Sequence, residues 1–386
     1  MRTEWRGDPS RHADLANEST TTGLDGTLRI GIDGLKIPES AKRGPLGTLA
    51  HAQELGLEGV FFRSVLGLSP TLDPAELRNV RARADEMGLY LETGLGKVNP
   101  FAIPEAPELR AVGDGDTLLG FRRMMEACAA IDCRELWAST AMVKPMFPGR
   151  LAWDRFRTDV TWEEQLVAIE RFLGRLAPYA RDLGIHVNLE THEEITSFEL
   201  VRLVEAVGPD VIGIVYDTAN ALHRVEHPVW TARRVAPYVR QTHIKDAHVA
   251  HGKDGLYYQL RPCGTGVVDF AQVVPIILEA NPQVNLTLEN YESYEDRPRN
   301  PEKWLLEIYD EEFIQAHPDL TTAEFAAYLK MVHDYEQRIA AGELPDLDTY
   351  AEQPFGYAET VRYITDSAAH IREVGKTPDS TPPSGN

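Results

Sequence analysis

The feature that most constrains the fold is an alternation of short β-type runs with longer helical patterns from residue 27 onward. The helical segments 73–88, 163–184 and 197–208 each end in glycine, which suits a left-handed helix cap. Eight runs have the length and apolar content of buried strands, at 27–34, 59–64, 90–96, 135–139, 185–190, 211–217, 240–246 and 284–290. Eight strands alternating with helices predict a (β/α)₈ TIM barrel.

A doubly wound open sheet is the alternative for the same alternation. That fold needs a glycine-rich dinucleotide turn after its first strand, where this chain has GIDGLKIPES. The barrel is therefore the predicted fold. We expect a flexible N-terminal arm at 1–26, the barrel at 27–312, a helical C-terminal extension at 313–375 and a disordered tail at 376–386.

The amino-acid composition disfavours two classes of binding partner. The chain has 386 residues, 43% of them hydrophobic, and 60 acidic against 39 basic side chains give a net charge of −21. Such a charge repels phosphate backbones and anionic lipids, so we expect neither nucleic acid nor a membrane as a partner. Cys128, Cys133 and Cys263 show no metal or disulfide spacing, and no signal peptide or membrane span is evident. These features predict a cytoplasmic protein with reduced thiols.

Ionisable residues stand at the ends of the last four predicted strands: Glu190, Asp217, His243 and Glu289. The carboxyl ends of barrel strands meet on one face, so these side chains are expected to converge. Three carboxylates at one point cannot all ionise cheaply unless a cation lies among them. Three oxygen donors and one imidazole favour Mn²⁺, with Mg²⁺, Co²⁺ or Zn²⁺ as alternatives.

The alternation of side chains extends this polar character into the barrel. Residues two apart on a strand point the same way, so Asn188 shares the direction of Glu190, Gln241 that of His243 and Thr287 that of Glu289. The sequence therefore predicts polar side chains along one side of three strands, with apolar residues on the other.

Further candidates lie close to these strand ends. His192, two residues beyond Glu190, is a candidate acid or base. Lys144, just past strand four, and Lys245 are candidates to hold an oxyanion or carboxylate. Arg261, in a long loop predicted after strand seven, is a candidate substrate contact. Asp246 and His248 are expected in the same loop without an assigned role.

Several segments carry a family resemblance: NLETHEEITS, VYDTAN, THIKDAH, CGTGVVDF and LTLEN. They resemble the strand ends of the sugar phosphate isomerase/epimerase family, the xylose isomerase-like barrels. The resemblance covers roughly residues 27–300 and is strongest from 185 to 290. It implies that Glu190, Asp217, His243 and Glu289 ligate one divalent metal, in agreement with the strand-end argument.

The chain also departs from one branch of that family. Ketose 3-epimerases carry a histidine three residues after the metal-binding aspartate and an arginine six after the metal-binding histidine, where this chain has Asn220 and Val249. The leading hypothesis is a metal-dependent isomerase or epimerase of a sugar or keto sugar, in which Glu190 and Glu289 exchange protons through an enediolate. The alternative is a lyase of the same family that decarboxylates a keto sugar acid or cleaves the C-glycosidic bond of an oxidised glycoside.

Two other classes of function remain to be weighed. A related endonuclease that cleaves abasic DNA shares this barrel, but it needs more metal-binding histidines and a basic groove, which the charge of −21 disfavours. A non-catalytic sugar-binding barrel, or one subunit of a larger enzyme, is the other hypothesis. We expect a small carbohydrate-derived substrate and a homo-oligomer, with a hetero-oligomer as the alternative.

Overall fold

The computed structural model describes residues 28–141, 143–144, 146–290 and 303–376. The expected N-terminal arm and all but the first residue of the expected tail lie outside these ranges. Among the described residues, no helix has both the length and the apolar character needed to cross a bilayer.

Eight parallel strands close into the predicted barrel. The last of them pairs with the first and with its own predecessor, which completes the ring. The barrel strands are β1 (Ile30–Asp33), β2 (Gly59–Phe62), β3 (Tyr90–Lys97), β4 (Glu135–Ser139), β5 (His186–Glu190), β6 (Ile212–Asp217), β7 (Val239–Ile244) and β10 (Leu286–Leu288). Each coincides with one of the eight predicted runs to within a few residues, so the fold prediction is confirmed.

Helices surround the barrel and bury their apolar faces against it, forming the main hydrophobic core. Their bounds are α1 (Ser40–Glu54), α2 (Pro74–Glu86), α3 (Pro107–Ala111), α4 (Thr117–Ala130), α5 (Trp162–Leu183), α6 (Ser197–Val207), α7 (Pro228–Val235) and α8 (Phe270–Ala280).

Local sequence signals explain where two of these helices begin and end. Thr161 and Glu164 form a capping box at the start of α5, and Gly184 ends that helix with a φ of 62°. A second capping box, formed by Thr196 and Glu199, begins α6 directly after β5. These signals fix the chain direction on both sides of β5, whose last residue is Glu190.

Two glycines make room for one large side chain inside the barrel. Tyr90 projects inward from β3, and a Cβ atom at Gly59 would lie 2.2 Å from its ring. A Cβ atom at Gly31 would lie 2.1 Å from the Tyr90 hydroxyl. Because neither distance is sterically tolerable, glycine is required at both positions for the tyrosine to fill the barrel.

The helical C-terminal region is present and has two parts. Helix α12 (Tyr357–Val374) packs on the barrel, where Ile364, Ala368 and Ile371 join the main core. Arg372 Nη2 lies 2.8 Å from Glu58 Oε1 at the edge of the barrel. This helix therefore occupies the position of the eighth barrel helix, although it is separated from β10 by almost 70 residues in the chain.

The intervening residues include a small domain-like addition, and here one prediction was wrong. The expected loop after strand seven is a hairpin of β8 (Asp246–His251) and β9 (Leu256–Arg261). A third short strand, β11 (Trp304–Leu306), pairs antiparallel with β9. The addition also contains α9 (Glu311–Gln315), α10 (Thr322–Ala340) and α11 (Leu347–Ala351).

Candidate metal centre and substrate cavity

The four predicted ligands meet at the carboxyl ends of the strands. Glu190, Asp217, His243 and Glu289 are all buried, and one potential ligand atom from each lies within 4.8 Å of the others. The strand-end reasoning thus identified residues that are distant in sequence and adjacent in space.

Glu190 is held in place from two sides. Trp137 Nε1 donates a hydrogen bond of 2.8 Å to Glu190 Oε2, and His243 Nδ1 lies 2.9 Å from Glu190 Oε1. Burial alone would raise the pKa of Glu190, but the charge and hydrogen bond of His243 outweigh it and lower the pKa. The carboxylate is therefore ionised at the base of the cavity.

Asp217 has one satisfied and one unsatisfied oxygen. Its Oδ1 accepts hydrogen bonds of 2.9 Å from the backbone N–H groups of Ala219 and Asn220. Its Oδ2 is buried and accepts no hydrogen bond from the described residues, although Lys245 Nζ lies 2.9 Å away. Burial raises the pKa of Asp217 to about 7, against the lowering effect of Lys245. A buried carboxylate oxygen in this state suits a further cation.

Protein cations already compensate part of the negative charge. Lys245 Nζ lies 3.3 Å from Glu289 Oε2, and Arg63 Nη2 lies 2.8 Å from Glu289 Oε1. Arg63 also pairs with Asp33 at 2.9 Å. Burial would raise the pKa of Glu289, but Lys245, Arg63 and His243 together lower it well below its usual value. A metal would therefore not be the sole source of positive charge at these carboxylates.

The donor set nevertheless fits a divalent metal. Three carboxylates and an imidazole are a mixed oxygen and nitrogen set, and Asp217 Oδ2 is paired with Lys245 but accepts no hydrogen bond from the described residues. Burial would lower the pKa of His243, but Glu190 and Glu289 raise it to about 10. Since a metal ligand must be deprotonated, metal binding at His243 would release a proton.

A cavity of about 540 Å³ opens above this cluster. Two groups of lining residues differ in chemistry: the charged residues, called the ionic end below, and the aromatic residues with His223, called the aromatic end. The ionic end includes Lys36, Arg63, Lys97, Glu190, Lys245 and Glu289, and the aromatic end includes Trp153, Tyr258 and Trp304. A cavity of this size is typical of small-molecule sites, which span about 300–1,000 Å³.

His192 also lines the cavity, beside Glu190. Its Nδ1 lies 2.8 Å from Glu193 Oε2 and also contacts the buried Glu194. Burial would lower the pKa of His192, but the two carboxylates raise it well above its usual value. The imidazole is therefore protonated and is placed to donate, rather than to accept, a proton; its catalytic role stays a prediction.

Two other predicted site residues do not line the cavity. Lys144 forms an ion pair with the buried Asp154 in the segment between β4 and α5. Arg261 lies against the C-terminal addition, where its Nη2 is 2.9 Å from His248 Nδ1 and its guanidinium is 3.6 Å from the Tyr350 ring. Strand alternation explains this placement, because Tyr258 and Leu260 face the cavity and Arg261 points the other way. The structure gives no support for substrate contacts by either residue.

Asp246, which was left without a role, has a structural one. Its Oδ2 accepts hydrogen bonds from the backbone N–H groups of Gly264 at 3.0 Å and Gly266 at 2.9 Å. Its Oδ1 accepts from those of Ala247 at 2.9 Å and Val268 at 3.0 Å. The carboxylate thus holds the CGTGVVD segment against the end of β7.

Sequence reasoning missed several cavity residues. Arg63 lies near the end of the predicted second strand, and Trp137 lies within the fourth. Because side chains alternate along a strand, both residues could have been predicted to point into the barrel, as Glu190 does. Trp153, His223 and Trp304 offered no such signal, because they come from separate segments that only the fold brings together.

Comparison with known proteins now identifies the family. The chain belongs to the xylose isomerase-like TIM barrel family, whose model matches residues 49–310.

Curated relatives are distant. The chain is 25% identical over 223 residues to the uncharacterized protein YihM of Escherichia coli, covering 55% of this chain and 65% of that protein. It is 23% identical over 251 residues to 3-oxo-isoapionate decarboxylase of Pectobacterium atrosepticum, covering 64% and 78%, respectively. The match to YihM thus spans slightly less than two thirds of that protein.

Among solved structures, 3-keto-D-glucoside 4-epimerase (YcjR) of E. coli is similar, with a TM-score of 0.51 and 18% identity. The superposition covers 70% of this chain and 95% of that enzyme. At this identity the likeness supports the fold. Relatives and structural neighbours with named activities include epimerases, a decarboxylase and a dehydratase.

Proposed function

We propose that this protein is a divalent-metal-dependent isomerase or epimerase of a sugar or keto sugar, which acts through an enediolate. One observation carries the proposal. Glu190 and Glu289 both line the cavity and both belong to the four-residue cluster around the unsatisfied Asp217 Oδ2. Carboxylates that reach the cavity from two strands can remove a proton on one side of a bound carbon and return one on the other.

The surrounding side chains set the orientation of the two carboxylates. Trp137 holds Glu190 through its indole N–H, and Arg63 holds Glu289 through its guanidinium. Both contacts involve an oxygen of the carboxylate, so each side chain keeps a defined rotamer. Glu190, Asp217, His243 and Glu289 would hold the metal, which when bound would supply positive charge to substrate oxygens as negative charge develops there.

Two cationic side chains complete the machinery. Lys245 Nζ donates a hydrogen bond of 3.0 Å to Asn220 Oδ1, which orients the ammonium group. Lys245 would also donate a hydrogen bond to a substrate oxygen. The protonated His192 would supply a proton to a second oxygen or to the adjacent carbon. Both residues line the cavity beside Glu190 or Glu289.

A lyase is the second candidate, and it has its own support. The match to 3-oxo-isoapionate decarboxylase covers 78% of that enzyme. Lys36 Nζ lies 3.9 Å from Glu289 Oε1 and lines the cavity together with Arg63, so the ionic end carries two cations suited to a substrate carboxylate. Loss of CO₂ from the hydroxyl-bearing carbon next to a keto group leaves its bonding electrons on that carbon and gives the same enediolate as removal of a proton from it.

The test combines metal analysis with substrate screening. Purified protein is stripped of metal, reloaded with Mn²⁺, and incubated in D₂O with keto sugars, keto sugar acids and oxidised glycosides. NMR should detect deuterium at the substrate carbon next to the carbonyl when the protein is loaded with Mn²⁺, and no deuterium there when the protein is metal-free. Deuterium exchange without further bond cleavage would identify an isomerase or epimerase. Release of CO₂ or of an aglycone would identify a lyase. Exchange by fully metal-free protein would refute the metal-dependent proposal.

A further inference from the structure

The cavity lining combines ionic and aromatic residues, and the cavity is larger than a single sugar ring requires. A monosaccharide is covered with hydroxyl groups, which the ionic end can bind. The aromatic end offers mainly ring faces and the side chain of Leu260. At about 540 Å³ the cavity lies in the middle of the range for drug-sized ligands, whereas a monosaccharide is far smaller than such ligands.

The aromatic end is built from three parts of the chain. Trp153 comes from the segment between β4 and α5, His223 from the turn after β6, and Trp304 from β11. Ring centroids of Trp153 and Trp304 are 5.5 Å apart and those of Trp153 and His223 are 5.3 Å apart. Tyr258 continues the wall, with its ring 4.2 Å from that of His223.

The added sheet presents two of these rings together. Trp304 on β11 and Tyr258 on β9 are directly paired across the strands, so their side chains stand on the same face of the sheet. Leu260, two residues after Tyr258, stands on that face as well and also lines the cavity. The sheet that interrupts the barrel thus supplies one wall of the aromatic end.

His223 supplies a polar group in this apolar wall. The residue is 3% exposed, and its Nδ1 is buried with no hydrogen-bond partner among the described residues. Burial lowers the pKa of His223 to about 3, so the ring is neutral and has both a donor and an acceptor nitrogen. A buried polar atom left unpaired is costly unless a ligand or water completes it.

We propose that the aromatic end binds the second ring of a two-ring substrate: a ring with an apolar face and a hydroxyl group, joined to the sugar held at the metal end. Trp153 and Trp304 would stack on the ring, and His223 would bind its hydroxyl group. A sugar and a hydroxylated aryl group share this chemistry. The inference rests on the proposed function, because it takes the metal end to be the site of the reacting sugar.

Binding can be measured without turnover. Calorimetry on the Mn²⁺-loaded protein would compare methyl, phenyl and 4-hydroxyphenyl β-D-glucopyranoside with cellobiose. We expect at least one two-ring probe to bind about tenfold more tightly than the methyl glucoside, because its second ring gains stacking contacts. Tighter binding of cellobiose would identify a sugar as the second ring, and tighter binding of an aryl glucoside would identify an aryl group.

Variants separate stacking from packing. Trp304→Leu should reduce the advantage of the two-ring probe to less than about threefold and leave the methyl glucoside unchanged. Leu305→Ala is the matched control, because Leu305 lies next to Trp304 on β11, does not line the cavity, and points to the opposite face. His223→Phe should abolish the tighter binding of 4-hydroxyphenyl glucoside relative to phenyl glucoside, or weaken the binding of cellobiose.

The outcomes distinguish this inference from the proposed function. Binding that depends on Trp304 but is accompanied by no deuterium exchange on any substrate would retain the two-ring site and reject the reaction. Deuterium exchange on free keto sugars, together with equal binding of all four probes, would retain the reaction and reject the two-ring site. The two-ring proposal is overturned if the methyl glucoside binds as tightly as the others, if no probe binds, or if Leu305→Ala has the same effect as Trp304→Leu.

Discussion

Two polar layers lie inside the barrel, one rung apart on the same strands, and they differ in chemistry. In the lower layer, Asn188 Nδ2 donates to Gln241 Oε1 at 3.0 Å, and the hydroxyl groups of Tyr90 and Thr287 are 2.8 Å apart. The upper layer, two residues further along, contains the four clustered groups of the candidate metal centre: Glu190, Asp217, His243 and Glu289. The lower layer is largely neutral and the upper one is ionic.

Carboxyl groups behave differently in the two layers. Glu92 in the lower layer is hydrogen-bonded to the neutral side chains of Asn285 and Thr287, and burial outweighs these bonds and the charge of His243, so its pKa is raised and the neutral acid is favoured. Glu190 and Glu289 in the upper layer are just as buried, but neighbouring cations lower the pKa of each. Alternation along the strand therefore places polar groups in both layers, and the supply of positive charge distinguishes the ionised carboxylates of the upper layer from Glu92 in the lower one.

The largest expected effect comes from the upper layer. Glu289→Gln keeps the shape of the side chain but removes a ligand and a proton acceptor, so we expect the exchange rate to fall about a thousandfold. Metal content after dialysis should fall as well. NMR exchange and elemental analysis measure the two effects, with circular dichroism to establish that the variant is folded.

Thr287→Val is the matched control for that variant, one rung below it. Activity should stay within about threefold of the native value, because Thr287 makes its contacts with Tyr90 and Glu92 rather than with the cavity. A Thr287→Val protein as inactive as Glu289→Gln would remove the functional distinction between the layers.

A smaller effect is expected when a competing cation is removed. Lys245 Nζ lies 2.9 Å from Asp217 Oδ2 and 3.3 Å from Glu289 Oε2, so its charge repels a metal from the same oxygens. Lys245→Met should bind Mn²⁺ about tenfold more tightly and still lose activity, because it lacks a donor for the substrate. Lys144→Met, outside the cavity, serves as the control in competition calorimetry. Weaker Mn²⁺ binding by Lys245→Met would contradict the assigned repulsion.

In the lower layer, the same Thr287→Val variant should show its effect in stability. Removal of its hydroxyl group takes away the hydrogen-bond partner of the Tyr90 hydroxyl and of Glu92 Oε2, while Glu92 Oε1 keeps its hydrogen bond from Asn285. We expect the free energy of unfolding to fall by about 1–3 kcal/mol, measured by denaturant titration. An unchanged unfolding free energy would mean that the lower layer does not stabilise the barrel.

The smallest effect concerns the pH dependence of stability at Glu92. Because burial raises the folded pKa above the ordinary value of 4.5, the folded chain holds a proton that the unfolded chain releases. The stability from this group is complete below about pH 4.5 and declines as the pH rises through the folded pKa. Glu92→Gln stays neutral throughout, so its unfolding free energy should decline less than that of the native protein. A steeper decline in the variant than in the native protein would contradict a raised pKa of Glu92 in the folded protein.

The sequence predicted the barrel and the convergence of four ionisable residues for a common reason. Strand periodicity and strand ends are local patterns, and the geometry of a parallel barrel converts them into convergence in space. The proximity of Glu190 and Glu289, which are 99 positions apart, therefore followed from the sequence. The polar rung beneath them followed from the same period of two.

Other features depend on contacts that no local pattern contains. β11 forms because β9 is available to pair with it, and α12 has the same helical periodicity whether it closes the barrel or extends from it. The direction of Arg261 depended on its lying in a strand rather than a loop. The aromatic end joins Trp153 to Trp304 across segments that are distant in the chain.

The most direct test of the central claim is a calorimetric titration of metal-stripped protein with Mn²⁺, performed on the native chain and on Asp217→Asn. The account predicts one saturable Mn²⁺ site per native chain and its loss in Asp217→Asn, because the unsatisfied Oδ2 is replaced by a poorer ligand. A native chain that binds no divalent metal, or an Asp217→Asn variant that binds Mn²⁺ equally tightly, would contradict it.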